Sequence, residues 1–209
     1  MEALWNMLSA FVENICKGRD PSHGHEHMKA VAETAKTIVG TDFAHHPNYL
    51  NIMLDAITVA WLHDVSDHKY DHDGTLDKQL DDFGIANIPN FTYIKKAVKL
   101  ISYSSENKAI LAGNPIDYEK ELGEHYAIVR HIVSDADKLE AIGLIGIHRC
   151  IEYTQHSKPG ITAEELATAV KIHADEKLLR LKDEFIRTDC GKRLAEPLHQ
   201  DMVTELTKM

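Results

Sequence analysis

A helix that is apolar almost all round, and that stops abruptly on a cluster of histidines and aspartates, is the feature that most constrains this chain. Residues 52–72 read IMLDAITVAWLHDVSDHKYDH. Ile52, Ala56, Ile57, Val59, Ala60, Trp61 and Leu62 cover the helical wheel almost all round, so the segment belongs inside a bundle. It runs into His63-Asp64, followed by Asp67, His68, Lys69, Asp71, His72 and Asp73. Titratable groups at the end of a buried helix are costly unless something compensates them. A divalent cation would do so, by turning imidazole and carboxylate into ligands, and the negative end of the helix dipole favours a cation at that position.

The rest of the chain is read around that point. Its 209 residues fit one domain, and 44% apolar residues supply a core. No apolar run approaches the roughly 18 residues that span a membrane. The start, MEALWNMLSAFVENICKGRD, reads as an amphipathic helix with Leu4, Leu8, Phe11, Val12 and Ile15 on one face, not as a signal peptide. Three scattered cysteines, Cys16, Cys150 and Cys190, without a CxxC pair, point to a reducing, cytoplasmic setting and away from a zinc-thiolate site. A net charge of −10 argues against a nucleic-acid polymer as partner. It leaves room for a small phosphorylated substrate, because a bound cation and a few local basic groups can reverse the potential in a pocket.

Helical periodicity runs through the chain with turn residues between the segments, and no β-alternation, repeat or linker interrupts it. The expected class is all-α: a single helical bundle over 1–209, with a core at about 20–155 and C-terminal helices at about 160–209 packed on it. Ser22 is the expected N-cap of a second helix carrying His23, His25 and His27. Gly84 and Pro89 should separate two short helices, 76–83 and 93–101, and 104–117 should be a loop. Thr162 should cap a long charged helix to about Phe185, and Pro197 should open the last one. The first helix and the long charged one offer a surface for a homodimer.

Fourteen histidines make a search for ligands worthwhile. His23 and His27, four residues apart, share a helical face, whereas His25 lies off it and should face solvent. Further on, SDADKLEAIG (134–143) places Asp135 and Asp137 in a stretch that is apolar on both sides. At spacing i, i+2 their side chains point in different directions, so at most one can share a site with His63. A salt bridge to Lys138 or Arg130 would account for one of the two. Two imidazoles and two carboxylates, with positions left for water, suit Mn²⁺, Mg²⁺, Fe²⁺, Co²⁺ or Ni²⁺. Open positions imply catalysis on a phosphoryl group or water.

The order of these elements resembles the HD-domain metal-dependent phosphohydrolase superfamily. The segments SHGHEHMKAV, AWLHDVSDHKYD, SDADKLEAIGLIGIHR and EKLLRLKDEFIRT resemble its small bacterial YpgQ/YedJ-like branch. The resemblance implies that His27, His63, Asp64 and Asp137 are the metal ligands. It places Asp67 where relatives carry an acidic group proposed to act on the attacking water. It also implies cleavage of nucleoside or deoxynucleoside triphosphates to monophosphate and pyrophosphate, with Mn²⁺ as activator. His23, His68, Lys69, Arg149 and Lys177 are the candidate contacts to the nucleotide. The chain departs from the branch at Glu140, where many relatives have Asp, and near Lys29-Ala30, where they have an Arg. A phosphomonoesterase or cyclic-nucleotide phosphodiesterase of the same superfamily is the alternative enzyme. A non-catalytic nucleotide-sensing module is the alternative of another class. A bi-iron oxygenase would need further ligands from His68, His72, His125 or His131.

Overall fold

The computed structural model describes residues 1–20 and 23–209, and their regular structure is helical throughout. Ser22, the expected N-cap, lies outside the described residues. None of the described helices is long and apolar enough to cross a membrane. The chain forms two compact units, Met1–Ser134 and Asp135–Met209, with the division inside one helix.

In the first unit, α1 (Glu2–Ile15) and α2 (His25–Asp42) pack with α3 (Tyr49–Leu62), and α3 also packs on α5 (Phe91–Lys99). The apolar wheel of α3 has the expected consequence: Ile52, Met53 and every residue from Ala56 to Leu62 are buried. Trp61 meets Trp5 of α1 edge-on, with ring centroids 5.2 Å apart. His25 is half-buried and not simply solvent-facing. It bonds the Ser9 hydroxyl at 2.8 Å and lies 5.2 Å from the Trp61 ring, which fastens α2 to α1 and α3.

Two glycine and loop expectations give way to packing. Gly84 does not end a helix, since α4 runs from Thr75 to Asn87. A Cβ at Gly84 would lie 2.1 Å from the Phe91 ring, so the glycine makes room for the neighbouring helix. Residues 103–111 form α6 (Tyr103–Leu111) instead of a loop. Ser102 caps it, and Glu106 turns inward to pair with Arg130 at 2.9 Å, both side chains being buried. A short α7 (Tyr118–Leu122) then leads through Gly123 into α8 (Glu124–Ala141).

The second unit takes the end of α8, then α9 (Leu144–Ser157), α10 (Ala163–Glu176) and α11 (Asp189–Leu206). Thr162 caps α10 in a reciprocal capping box with Glu165, as the sequence predicts. The long charged helix does not continue to Phe185. It breaks at Lys177 into a 3₁₀ turn (Leu178–Arg180) and a π turn (Leu181–Phe185). Pro197 lies inside α11, which starts earlier, at the Thr188 cap. The side chain of Asp135 is the reason that start is fixed. Fully buried, it accepts the backbone N–H groups of Arg187 at 2.9 Å and Thr188 at 2.6 Å. Burial pushes its carboxyl above the usual range, against the pull of these hydrogen bonds.

Candidate metal centre

The C-terminal end of α3 delivers His63 and Asp64, both half-buried. The His63 Nδ1–H donates to the Ala60 carbonyl oxygen at 2.7 Å. A carbonyl can only accept, so this bond fixes the proton on Nδ1 and puts the ring lone pair on Nε2. That is the arrangement of a metal-ligating imidazole.

His27 comes from the first turn of α2, where it is 7% exposed. Its ring lies 5.3 Å from that of His63, steeply inclined. One ligand atom each from His27, His63 and Asp64 lies within 4.8 Å of the others. Ligands on opposite sides of an ion at about 2.1 Å sit about 4.2 Å apart, so the three lie close to the spacing that one cation would draw together. The donor set of two imidazoles and a carboxylate suits a borderline or hard divalent ion. Cys16 is not among the atoms that converge there; burial pushes its thiol up.

A second group shares Asp64: His23, Asp64 and Asp67 also offer atoms within 4.8 Å of one another. His23 is not on α2, which begins at His25. Its backbone N–H donates to the Asp20 carbonyl oxygen at 3.1 Å, and it shares no i, i+4 helical face with His27. The Lys69 ammonium is 3.1 Å from His23 Nε2. Asp67 accepts the Lys69 backbone N–H at 2.8 Å and lies 3.2 Å from the exposed His68 ring. Of the expected site residues in the first unit, His23, His27, His63, Asp64, Asp67 and Lys69 therefore converge, while His68 borders Asp67 at the surface.

In the second unit, Asp137 lies on α8, half-buried and directly before Lys138. Arg149 is half-buried on α9, and its guanidinium donates to the Glu140 carbonyl oxygen at 3.0 Å. Lys177 sits at the break after α10.

Sequence reading did not find Arg19. Its guanidinium donates to the backbone carbonyls of Asp64 at 2.7 Å and Val65 at 2.6 Å, the turn on which the His-Asp pair ends. It also lies over the Tyr70 ring, 4.5 Å from the centroid. The Tyr70 hydroxyl, whose pKa is pushed up to about 12 mainly by partial burial and the bond to Asp20, donates to that carboxylate. Arg19, Asp20 and Tyr70 thus pin the 63–70 turn to the segment before α2. A lone arginine in a turn carries no local signal of this role, since its acceptors are main-chain carbonyls 45 and 46 residues away.

Comparison with known proteins follows the same lines. No protein-family model matches the chain. It is 27% identical over 201 residues to the uncharacterized protein YpgQ of Bacillus subtilis, covering 94% of this chain and 87% of that one. The crystal structure of YpgQ in complex with ADP superposes with a TM-score of 0.68 at 21% identity, over 99% of this chain and 93% of that one. A Lactobacillus plantarum protein gives a TM-score of 0.72 at 23% identity, over 100% and 95%. An HD-superfamily hydrolase from Bacillus thuringiensis gives 0.60 at 23%, over 99% and 94%. Over nearly its whole length the chain therefore has the fold of YpgQ and of that HD-superfamily hydrolase, in line with the resemblance read from the motifs.

Proposed function

We propose that this chain is a divalent-metal-dependent phosphohydrolase of nucleotides, and that it splits nucleoside or deoxynucleoside triphosphates into monophosphate and pyrophosphate. The observation that carries the reading is the convergence of His27, His63 and Asp64 from two helices, with the His63 tautomer already set for ligation. The ADP complex of YpgQ supports a nucleotide as the substrate class, and the HD-superfamily hydrolase of the same fold supports hydrolysis. Asp137 as a further ligand is carried over from its motif alone. Mn²⁺ is the ion of choice, with Mg²⁺, Co²⁺, Ni²⁺ and Fe²⁺ as candidates of the same donor chemistry.

When bound, such an ion withdraws charge from phosphoryl oxygens and acidifies water. The protein's own part is positioning and proton transfer. Asp67 orients the attacking water and accepts its proton; its carboxylate is held in place by the Lys69 backbone N–H. Lys69, His23 and His68 form the edge from which phosphate oxygens are approached. Arg149 and Lys177 are candidates for the same task by charge alone. Arg19 keeps the Asp64–Val65 turn from shifting under the ligands.

The test is a screen of nucleotides with each divalent metal, detecting pyrophosphate and inorganic phosphate separately. Pyrophosphate from a triphosphate is the expected result. Phosphate from a monophosphate would move the assignment to a phosphomonoesterase. Tight nucleotide binding without turnover under any metal would make the chain a sensing module.

A further inference from the structure

The first unit contains a second concave site, of about 550 Å³, at the other end of α3. None of its lining residues belongs to the His/Asp groups of the candidate metal centre, and Thr58, the lining residue nearest to His63 along α3, lies about 7.5 Å from it along the axis. Its volume falls within the roughly 300–1,000 Å³ typical of small-molecule sites. Leu54, Ile88 and Pro89 supply apolar wall, and Asn48, Asn51 and Asn90 place three side-chain amides around it.

The polar centre is built by residues from three elements. Asp55 accepts from His125 Nε2 at 2.7 Å, which joins α3 to the start of α8. Tyr126 extends the network toward Asp55 on one side and the Asn90 side chain on the other. Its ring is stacked on Tyr93, 5.2 Å apart and 7° from parallel, and meets the His125 ring edge-on. Asn90 holds its place at φ 57, a left-handed conformation that asparagine tolerates better than most residues.

The composition of the lining selects the ligand. No lysine or arginine lines the cavity among the described residues, and Asp55 contributes a carboxylate, so an anionic phosphate is disfavoured. Amides offer donor and acceptor side by side, and a carboxylate has acceptor capacity beyond its bond to His125. Those features match the hydrogen-bonding edge of a nucleobase, with Leu54, Ile88 and Pro89 as apolar wall for its ring. A polyamine would need several carboxylates, where one stands. We propose that the cavity formed by Asn48, Asn51, Asp55, Asn90, His125 and Tyr126 binds an uncharged nucleoside, separately from the metal centre.

The experiment is calorimetric titration of the metal-free full-length protein with adenosine, guanosine, cytidine and uridine, and then with their 5′-monophosphates. The expected result is 1:1 binding of at least one nucleoside with Kd below about 1 mM. The matching monophosphate should bind at least tenfold more weakly. Asn51 is exposed at the rim, so Asn51→Trp should fill the mouth, weaken the nucleoside at least tenfold and leave thermal unfolding unchanged. Asn48→Trp, at a second exposed position, guards against a folding defect in the first variant. Asp64→Ala should leave nucleoside binding as it is. Absence of binding by all four nucleosides, or equal binding to both rim variants, overturns the proposal. Binding abolished by Asp64→Ala overturns it too, by placing the nucleoside at the metal centre. The titration contains no metal and measures no turnover, so its outcome is independent of the phosphohydrolase reading.

Discussion

Glu106 with Arg130, and His27 with His63 and Asp64, are two collections of titratable groups in the same unit, and they are completed in different ways. The first is internally closed. Arg130 meets Glu106 at 2.9 Å, donates through Nε to the Leu100 carbonyl oxygen at 2.8 Å, and lies 3.8 Å from the centre of the Tyr118 ring. Charge, hydrogen bonds and aromatic face are all supplied by the chain. In the second, ligand atoms of like kind are aimed at one point, two of them imidazole, and the counter-charge we propose is an ion from solution. A closed cluster serves the fold, whereas one that could take up an ion is available for the chemistry we propose.

The sharpest way to break this comparison is to remove one member from each cluster. His63→Ala or Asp64→Ala should abolish metal retention and turnover together while the helical far-UV signal persists, read by metal analysis of the purified protein and by the pyrophosphate assay. Activity in either metal-free variant would dissolve the catalytic assignment. Glu106→Ala should do the reverse. Leaving Arg130 buried without its carboxylate should cost about 3–5 kcal/mol of stability in urea unfolding. The folded variant should bind Mn²⁺ as the parent does. Equal unfolding midpoints for parent and variant would show that the buried pair is not a stabilising element.

These two clusters were also unequally legible in the sequence. The candidate metal centre was partly legible because a His-Asp pair after an apolar helix conflicts with ordinary packing, and conflict is visible in a one-dimensional pattern. His63 and Asp64 follow from that position, whereas His27 was singled out by the motif resemblance, since the i, i+4 face it was to share with His23 does not form. The Glu106–Arg130 pair was not legible: SSENK reads as loop composition, and only a partner 24 residues away makes its glutamate an inward helix residue. Gly84 misled for the same reason, since the space it opens belongs to Phe91. Pro197 misled because a proline suits a first turn, yet α11 already begins at the Thr188 cap, whose place is set by Asp135 from another helix. Arg19 acts on main-chain carbonyls, which have no letter in the sequence.

Within the open cluster, Asp67 separates holding the ion from using it. Asp67→Asn keeps the shape and the acceptor for the Lys69 backbone N–H but lacks a basic carboxylate. Metal content should be unchanged while turnover falls by roughly 10²–10⁴, the range of a general acid–base group. Substrate saturation should shift little, because the loss is in proton transfer. An unaltered rate would remove Asp67 from the mechanism and leave water activation to the ligand set.

The smallest effect belongs to a third cluster, whose carboxylates lie at the surface. Lys95 bridges Asp77 at 2.9 Å and also meets Asp81, and both carboxylates are more than a third exposed. Lys95 holds the Asp77 carboxyl below its ordinary range, chiefly through the hydrogen bond. A carboxyl whose folded pKa is depressed contributes stability above its unfolded pKa and loses it as pH falls through the folded value. Lys95→Met should therefore cost under about 1 kcal/mol at neutral pH, after solvent screening. The difference should shrink as the pH is lowered past the ordinary carboxylate range, and shrink as well in added salt. A Lys95→Met deficit as large as that of Glu106→Ala, or one indifferent to both acid and salt, would show that burial does not rank these clusters.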